Sequence, residues 1–158
     1  MQQTAMRTDF NHLASAACWP ELDPTEAQKL NILLVEDTNA DALLTRIAIE
    51  ETEIPCRISR MARGDNVLPG LLAKQRLCPT EIPDVILLDL GLPGMDGFEI
   101  LAELSSMSPL LRSIPIIILT AYENFEYISR NYPLCVVAHL SKPCHSADVK
   151  AALSRIRK

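Results

Sequence analysis

Four apolar segments of the sequence each end in residues that can carry chemistry. Runs rich in Ile, Leu and Val, separated by helix-length segments, are typical of buried strands in a parallel sheet. In open parallel sheets the carboxyl ends of the strands meet at one edge, where ligands bind. We therefore expect acids, a hydroxyl and an ammonium to converge at that edge: Glu36 and Asp37 after residues 32–35, Asp89 after 85–88, Thr120 after 116–119, and Lys142 after 136–140.

Three acids brought together need a positive partner. Two carboxylates about 4 Å apart repel each other by about 4 kcal/mol at the dielectric typical of such sites. Oxygen ligands without His or Cys favour Mg²⁺, which commonly takes one or two carboxylates and a phosphate oxygen. Lys142 adds a compact charge suited to phosphate, and Thr120 adds a hydroxyl donor. The set predicts a pocket for a phosphoryl group in transfer, where positioning and charge neutralisation supply most of the catalysis.

Each of these residues also has an ordinary structural explanation. Glu36 and Asp37 could cap the next helix. Asp89 could be a loop acid, and Lys142 could be a solvated charge. For any one residue alone the structural explanation is favoured, but their joint occurrence at four strand ends favours a functional site.

The elements that must position these residues alternate between strand and helix from Leu30 onward. The first helix is expected from Thr38 or Asn39 to residue 51, and its apolar face would contain Leu43, Leu44, Ile47 and Ala48. A weakly alternating strand is expected at 57–61. Further helices are expected at 65–74, 98–107 and 123–131, and from a cap at Ser146 onward. Five β-α units with short connections predict an α/β fold, a three-layer α/β/α sandwich around a parallel sheet.

Composition narrows the class of protein. The chain has 158 residues and a net charge of -5, which gives no support to a nucleic-acid-binding surface. No apolar stretch is long enough to cross a bilayer. Five cysteines without close-paired spacing are typical of a reduced, cytoplasmic setting. Residues 1–29 contain no strand-like run, and we expect them to form an extension that is either flexible or a short helix over 9–19.

Four motifs, taken in order, resemble the receiver domain of bacterial two-component response regulators. They are Leu34-Val35-Glu36-Asp37, the run from Leu87 to Gly97, Leu119-Thr120-Ala121 and Lys142-Pro143. The resemblance covers residues 30–158 and implies a stand-alone receiver domain. It also implies a flavodoxin-like, five-stranded parallel sheet of order 2-1-3-4-5. The extra residues between the second helix and the third strand resemble the subgroup paired with phytochrome-type sensor kinases.

The resemblance implies a role for each site residue. Asp89 would accept a phosphoryl group from a kinase histidine as an acyl phosphate, by weak self-catalysis and not by enzymatic turnover. Thr120 would move to hydrogen-bond one phosphoryl oxygen, and Lys142 would pair with another. The bond between Lys142 and Pro143 would be cis. Mg²⁺ would be held, directly or through water, by Glu36, Asp37, Asp89 and the backbone carbonyl of Gly91.

The partners implied by the resemblance are proteins. The phosphoryl donor would be a sensor histidine kinase, phytochrome-type on the subgroup resemblance, or a phosphotransfer protein. A homodimer could form through the face made by the helix at 123–131, the fifth strand and the last helix. The sequence leaves the downstream partner open.

One position departs from the family pattern. The family usually carries Tyr or Phe three residues before the lysine, and its ring rotates inward as the threonine moves. Here that residue is His139. The simpler interpretation is that the imidazole fills this space, with a weaker or different switch. The sharper hypothesis is a switch that responds to pH near the imidazole pKa.

Two other classes of function remain to be weighed. Enzymes of the haloacid-dehalogenase type also combine a strand-end Asp, Mg²⁺, a Thr and a Lys. They need a second acid two residues after the nucleophile, and this chain has Gly91 there. The third interpretation is a receiver-like interaction domain that takes no phosphate, which His139 keeps open.

Overall fold

The computed structural model describes residues 29–121 and 136–156 of the chain. Its strands are β1 Leu30–Val35, β2 Cys56–Met61, β3 Val85–Asp89, β4 Ile116–Thr120 and β5 Val136–Ser141. Its α-helices are α1 Asn39–Glu50, α2 Val67–Leu77, α3 Gly97–Ser105, α4 Pro109–Arg112 and α5 Ser146–Ser154. The helices predicted at 9–19 and 123–131 lie outside the described residues. None of the helices within them combines the length and the apolar character that crossing a bilayer requires.

The five strands form one parallel sheet in the order β2-β1-β3-β4-β5. β3 and β4 are buried along their whole length. Successive side chains of a strand point to opposite faces. Leu33 and Ile86 accordingly pack in one core cluster with α2 and α3, whereas Ile32 and Leu87 pack in a second cluster with α1 and α5. The predicted three-layer sandwich and its strand order are confirmed.

The direction of strand order reverses between β1 and β3. From β1 the chain moves to β2 on one side of the sheet and then returns to place β3 on the other side. The register pairs Val35 with Leu88, so the next residues along the two strands, Glu36 and Asp89, come side by side. Open parallel sheets bind ligands in the crevice that such a reversal creates.

The turn into α3 brings two backbone segments into close approach. The Gly97 N–H donates to the Leu90 carbonyl oxygen at 3.1 Å. Asp96 caps the helix through reciprocal hydrogen bonds with Glu99, so α3 begins one residue before the predicted 98. A Cβ atom on Gly97 would lie 2.6 Å from Leu90 Cα and 2.7 Å from the Asp89 carbonyl oxygen. A glycine is therefore required at the start of α3.

The predicted apolar face of α1 is wrong in part. The helix buries Ala42, Thr45, Ala48 and Ile49, and exposes the larger side chains Leu43, Leu44 and Ile47. Of the predicted face only Ala48 is buried. Small residues at every third position let α1 approach the sheet closely, because bulky side chains there would hold the helix away. Hydrophobicity alone could not reveal this arrangement.

Several single helical turns lie where the sequence predicted loop or a different helix start. Residues 64–66 and 79–81 form 3₁₀ turns, and α4 lies in the segment expected only to connect to the fourth strand. Because of the first turn, α2 begins at Val67 and not at residue 65. The cap position of α5 is held by His145, one residue before the predicted Ser146. Single turns are too short to show a periodic apolar pattern.

We predict that Gly97→Ala lowers the free energy of unfolding by about 1 to 3 kcal/mol, because its Cβ would meet backbone atoms that cannot move aside. The matched control is Gly70→Ala, the fourth residue of α2, where the nearest atom is the flexible end of the Met61 side chain. There the gain in helix propensity, about 1 kcal/mol, offsets the small rearrangement. Chemical denaturation measures both variants, and equal effects would contradict the close-approach explanation.

Candidate functional site

The predicted acids come together at the switch point of the sheet. One carboxylate oxygen from each of Glu36, Asp37 and Asp89 lies within 4.8 Å of the other two. Glu36 and Asp89 are buried, and Asp37 is accessible to solvent. The cluster arises because β1 and β3 are hydrogen-bonded neighbours that end at the same level.

Lys142 reaches this cluster from the end of β5. Its Nζ lies 2.7 Å from Asp89 Oδ2, 2.5 Å from Glu36 Oε2 and 3.3 Å from Asp41 Oδ2. The Lys142 N–H donates to the Thr120 carbonyl oxygen at 3.1 Å, which ties the end of β5 to the end of β4. The Lys142-Pro143 peptide bond is cis. One ammonium therefore contacts three acids from three separate parts of the chain.

Burial and the neighbouring charges shift the pKa values of groups in the pocket. Burial raises the pKa of the Glu36 carboxyl, an effect that the hydrogen bond from Lys142 offsets only in part and the nearby Asp89 charge increases. Burial alone would lower the pKa of the Lys142 ammonium. Hydrogen bonds to Asp89 and Glu36 outweigh burial, so the pKa of Lys142 lies above its ordinary value. Lys142 is therefore firmly protonated at neutral pH.

The remaining predicted residues surround this cluster. Thr120 is buried at the end of β4, where it pairs with Ser141. The Gly91 N–H donates to Asp89 Oδ1 at 3.1 Å, which places the loop containing Gly91 against the acid. His139 lies on β5 opposite Ile118, and its side chain is mostly exposed and in part buried. It is thus on the strand that leads to Lys142, three residues away from it.

Sequence reasoning missed three polar residues around the pocket: Asp41, Arg60 and Asp65. Asp41 lies in the first turn of α1, where an acid is ordinarily explained by the helix dipole. Arg60 belongs to β2, the strand with the weakest pattern. Asp65 lies in a 3₁₀ turn that the sequence did not predict. No spacing along the chain connects any of them to the strand ends.

Asp65 anchors the loop that follows Asp89. The Met95 N–H donates to Asp65 Oδ1 at 3.1 Å, and Arg63 donates to Asp65 Oδ2 at 2.8 Å. The Arg63 and Met95 hydrogen bonds hold the pKa of Asp65 below its ordinary value. Gly94 has a φ of 81°, and a Cβ atom there would lie 2.5 Å from Asp65 Oδ2. The β3–α3 loop is thus held against the segment after β2.

The donor set fits a hard divalent cation. The three clustered ligands are carboxylates, as Mg²⁺ prefers. Within the described parts of the chain, the close partner of the buried Glu36 Oε2 is Lys142 Nζ, which Glu36 shares with Asp89 and Asp41. Three carboxylates contact the single ammonium of Lys142, and a fourth, that of Asp37, lies in the same acidic cluster. The excess of negative charge is a feature that a bound cation would correct.

Fold and site together define a flavodoxin-like α/β domain with an acidic pocket at its switch point. The sequence-family model of the response regulator receiver domain matches residues 32–154 of this chain. The chain therefore belongs to the response regulator receiver domain family, the phosphorylatable switches of two-component signalling, as the sequence predicted.

Three relatives show how close the match is. Response regulator Rcp1 of Synechocystis sp. is 33% identical over 118 residues, which cover 75% of this chain and 80% of Rcp1. The bacteriophytochrome response regulator RtBRR superposes with a TM-score of 0.71 at 33% identity, covering 82% of this chain and 79% of that one. The phosphorylated cyanobacterial phytochrome response regulator RcpA has a TM-score of 0.63 at 31% identity, and the match covers 81% of this chain and 91% of that one.

One solved form of Rcp1 is bound to Mn²⁺. It superposes with a TM-score of 0.58 at 31% identity, covering 81% of this chain and 89% of that one. At least one relative thus holds a divalent cation in a structure of the same fold.

We expect Lys142→Met to lower the free energy of unfolding by about 3 kcal/mol in metal-free buffer, because it leaves Glu36 and Asp89 without their shared cation. The matched control is Lys74→Met, which removes a lysine paired with the exposed acid Glu81 and should cost less than about 1 kcal/mol. Urea denaturation at neutral pH measures both. Similar losses in the two variants would show that Lys142 is not the main counter-charge.

The imidazole of His139 should titrate below its ordinary 6.5, because partial burial lowers its pKa. The neutral form then persists to more acidic pH, so affinity for any partner through this face should be flat between about pH 7 and 8 and change only on acidification. NMR titration of the imidazole, assigned with His139→Gln, measures the midpoint. A midpoint at or above 6.5 would contradict this prediction and favour the pH-sensitive switch.

Proposed function

We propose that the protein is a signalling switch that accepts a phosphoryl group on Asp89 in a Mg²⁺-dependent reaction. The observation that carries this proposal is the contact of Lys142 with Asp89 and Glu36 inside a cluster of three acids. A lone acid with a lysine would be an ordinary ion pair. Three acids within 4.8 Å, two of them buried, form an expensive arrangement that a cation and a phosphoryl group would make useful.

In the proposed reaction an oxygen of Asp89 attacks phosphorus. The bond from phosphorus to the donor's leaving group breaks, and an acyl phosphate forms on Asp89. Lys142 then exchanges its contact with Asp89 for one phosphoryl oxygen, and the Thr120 hydroxyl donates to another. Mg²⁺, held by Glu36, Asp37, Asp89 and the Gly91 carbonyl, would supply charge neutralisation for the transferring group.

The output face is proposed to include Thr120 and His139. Thr120 ends β4 and His139 lies on the adjacent strand β5, so a movement of Thr120 would displace residues of β5 before more distant ones. A smaller polar ring at position 139 supports a switch that is weaker than, or different from, the aromatic version. A homodimer through the face that includes β5 and α5 belongs to this part of the proposal.

The phosphoryl donor is proposed to be a sensor histidine kinase of the phytochrome type or a phosphotransfer protein. Support comes from the relatives RtBRR and RcpA, which are named as bacteriophytochrome and phytochrome response regulators. We propose that residues 30–158 form the receiver unit and that 1–29 are an extension. The free thiols of Cys56, Cys78 and Cys144 support a reducing, cytoplasmic setting.

We expect a small phosphodonor such as acetyl phosphate, with Mg²⁺, to add one phosphoryl group to the intact chain, as seen by mass spectrometry. Asp89→Asn should abolish the label, because the nucleophilic oxygen is lost, and chelation of Mg²⁺ should do the same. The control Asp148→Asn changes an exposed acid in the first turn of α5 and should be labelled like wild type. Absence of label on wild type would favour the phosphate-independent interaction domain, and turnover of phosphate esters would favour the enzyme.

A further inference from the structure

Arg60 bridges the edge strand β2 to the loop that contains two of the acids. It lies opposite Leu34 in the parallel register of β1 and β2. Its Nε donates to the Glu36 carbonyl oxygen at 2.9 Å, and its Nη2 donates to the Asp37 carbonyl oxygen at 2.9 Å. Its Nη1 donates to Asn39 Oδ1 at 2.7 Å. One guanidinium thus binds three residues out of a run of four.

These bonds fix the backbone at the positions where the acids originate. The Glu36 N–H is already paired with the Met61 carbonyl oxygen at 3.1 Å, and Arg60 holds the next two carbonyls. Two held carbonyls set the two peptide planes, and these planes set the directions in which the carboxylates leave the chain. Asp37 most needs such support, because it is the accessible member of the cluster.

The positive charge of Arg60 and its hydrogen bonds have opposite effects on the affinity of the site for a cation. A guanidinium near the pocket repels a divalent ion, so removal of its charge alone would tighten cation binding. The loss of three hydrogen bonds would loosen the loop and weaken cation binding. The bonds that the structure gives Arg60 end on carbonyl and amide oxygens, which leaves the Glu36 and Asp37 carboxylates available. The sign of the change therefore distinguishes positioning from simple electrostatics.

We propose that Arg60 is a positioning residue that holds the loop between β1 and α1 in the shape that binds the divalent cation. The inference rests on the proposed function, since it requires Glu36, Asp37 and Asp89 to bind a cation. A planar fork with donors on three separate nitrogens suits this task, whereas the donors of a lysine all leave one nitrogen and would have to reach the three oxygens from a single point. Partners outside the ligand shell commonly change metal affinity by about 10-fold to 100-fold.

The test measures Mn²⁺ affinity of the full chain by electron paramagnetic resonance, with Mn²⁺ itself as the probe. Arg60→Gln removes the charge and most of the bonds and should weaken binding by about 10-fold. Arg60→Lys keeps the charge but loses the fork, and should fall between Arg60→Gln and wild type. The control Arg46→Gln removes an equal charge from α1, where Arg46 pairs with Glu50, and should bind as wild type does.

A second readout is hydrogen exchange of the amides at 37–40, which should quicken in Arg60→Gln without metal while thermal stability stays near that of Arg46→Gln. Tighter or unchanged Mn²⁺ binding by Arg60→Gln, or an Arg60→Lys variant equal to wild type, would overturn the positioning role. If Arg60→Gln does not fold, Arg60→Lys decides the question by itself. Failure of the wild-type chain to bind Mn²⁺ would instead refute the proposed function, and this inference with it.

Discussion

The ammonium of Lys142, shared among buried acids, is the interaction on which the functional end of the sheet depends. Its contacts to Glu36 and Asp89 join the ends of β1, β3 and β5. Without a counter-charge, two buried carboxylates at this separation would oppose the close pairing of their strands. The same contacts keep Lys142 protonated, so the pocket retains a fixed positive charge near neutral pH. The stability of this end of the sheet and the charge of the site therefore depend on the same side chain.

A second set of polar contacts holds the loops after β1 and β3, which lie beyond the hydrogen-bonded part of the sheet. Arg60 binds the loop after β1, and Asp65 binds the loop after β3. Both residues come from β2 or from the turn that follows it, at the edge of the sheet. The edge strand is only partly buried, although Cys56, Ile58 and Met61 pack against the core. Residues of this strand and of the turn after it contact both acidic loops from one side.

The sequence was sufficient for the sheet and for the residues at its strand ends, because buried parallel strands are continuous apolar runs. It was insufficient for contacts between elements that are brought together only by the tertiary fold. Asp41 and Arg60 approach the pocket from a helix and an edge strand, and chain spacing says nothing about either distance. The face of α1 was misjudged because close packing selected the small residues Ala42 and Thr45 over larger apolar neighbours.

The separation of Glu36 from Asp89 is set by backbone pairing. Neighbouring strands in a sheet lie about 4.8 Å apart. These two acids follow the registered pair Val35 and Leu88, so the spacing between the strands sets the distance between their backbones without help from side-chain packing. Single substitutions can therefore change the charge and the lining of this pocket. Its width does not change with them, because hydrogen bonding between the two strands fixes it. A change of width would require a slip of the whole strand, which would turn its apolar side chains toward the wrong layer.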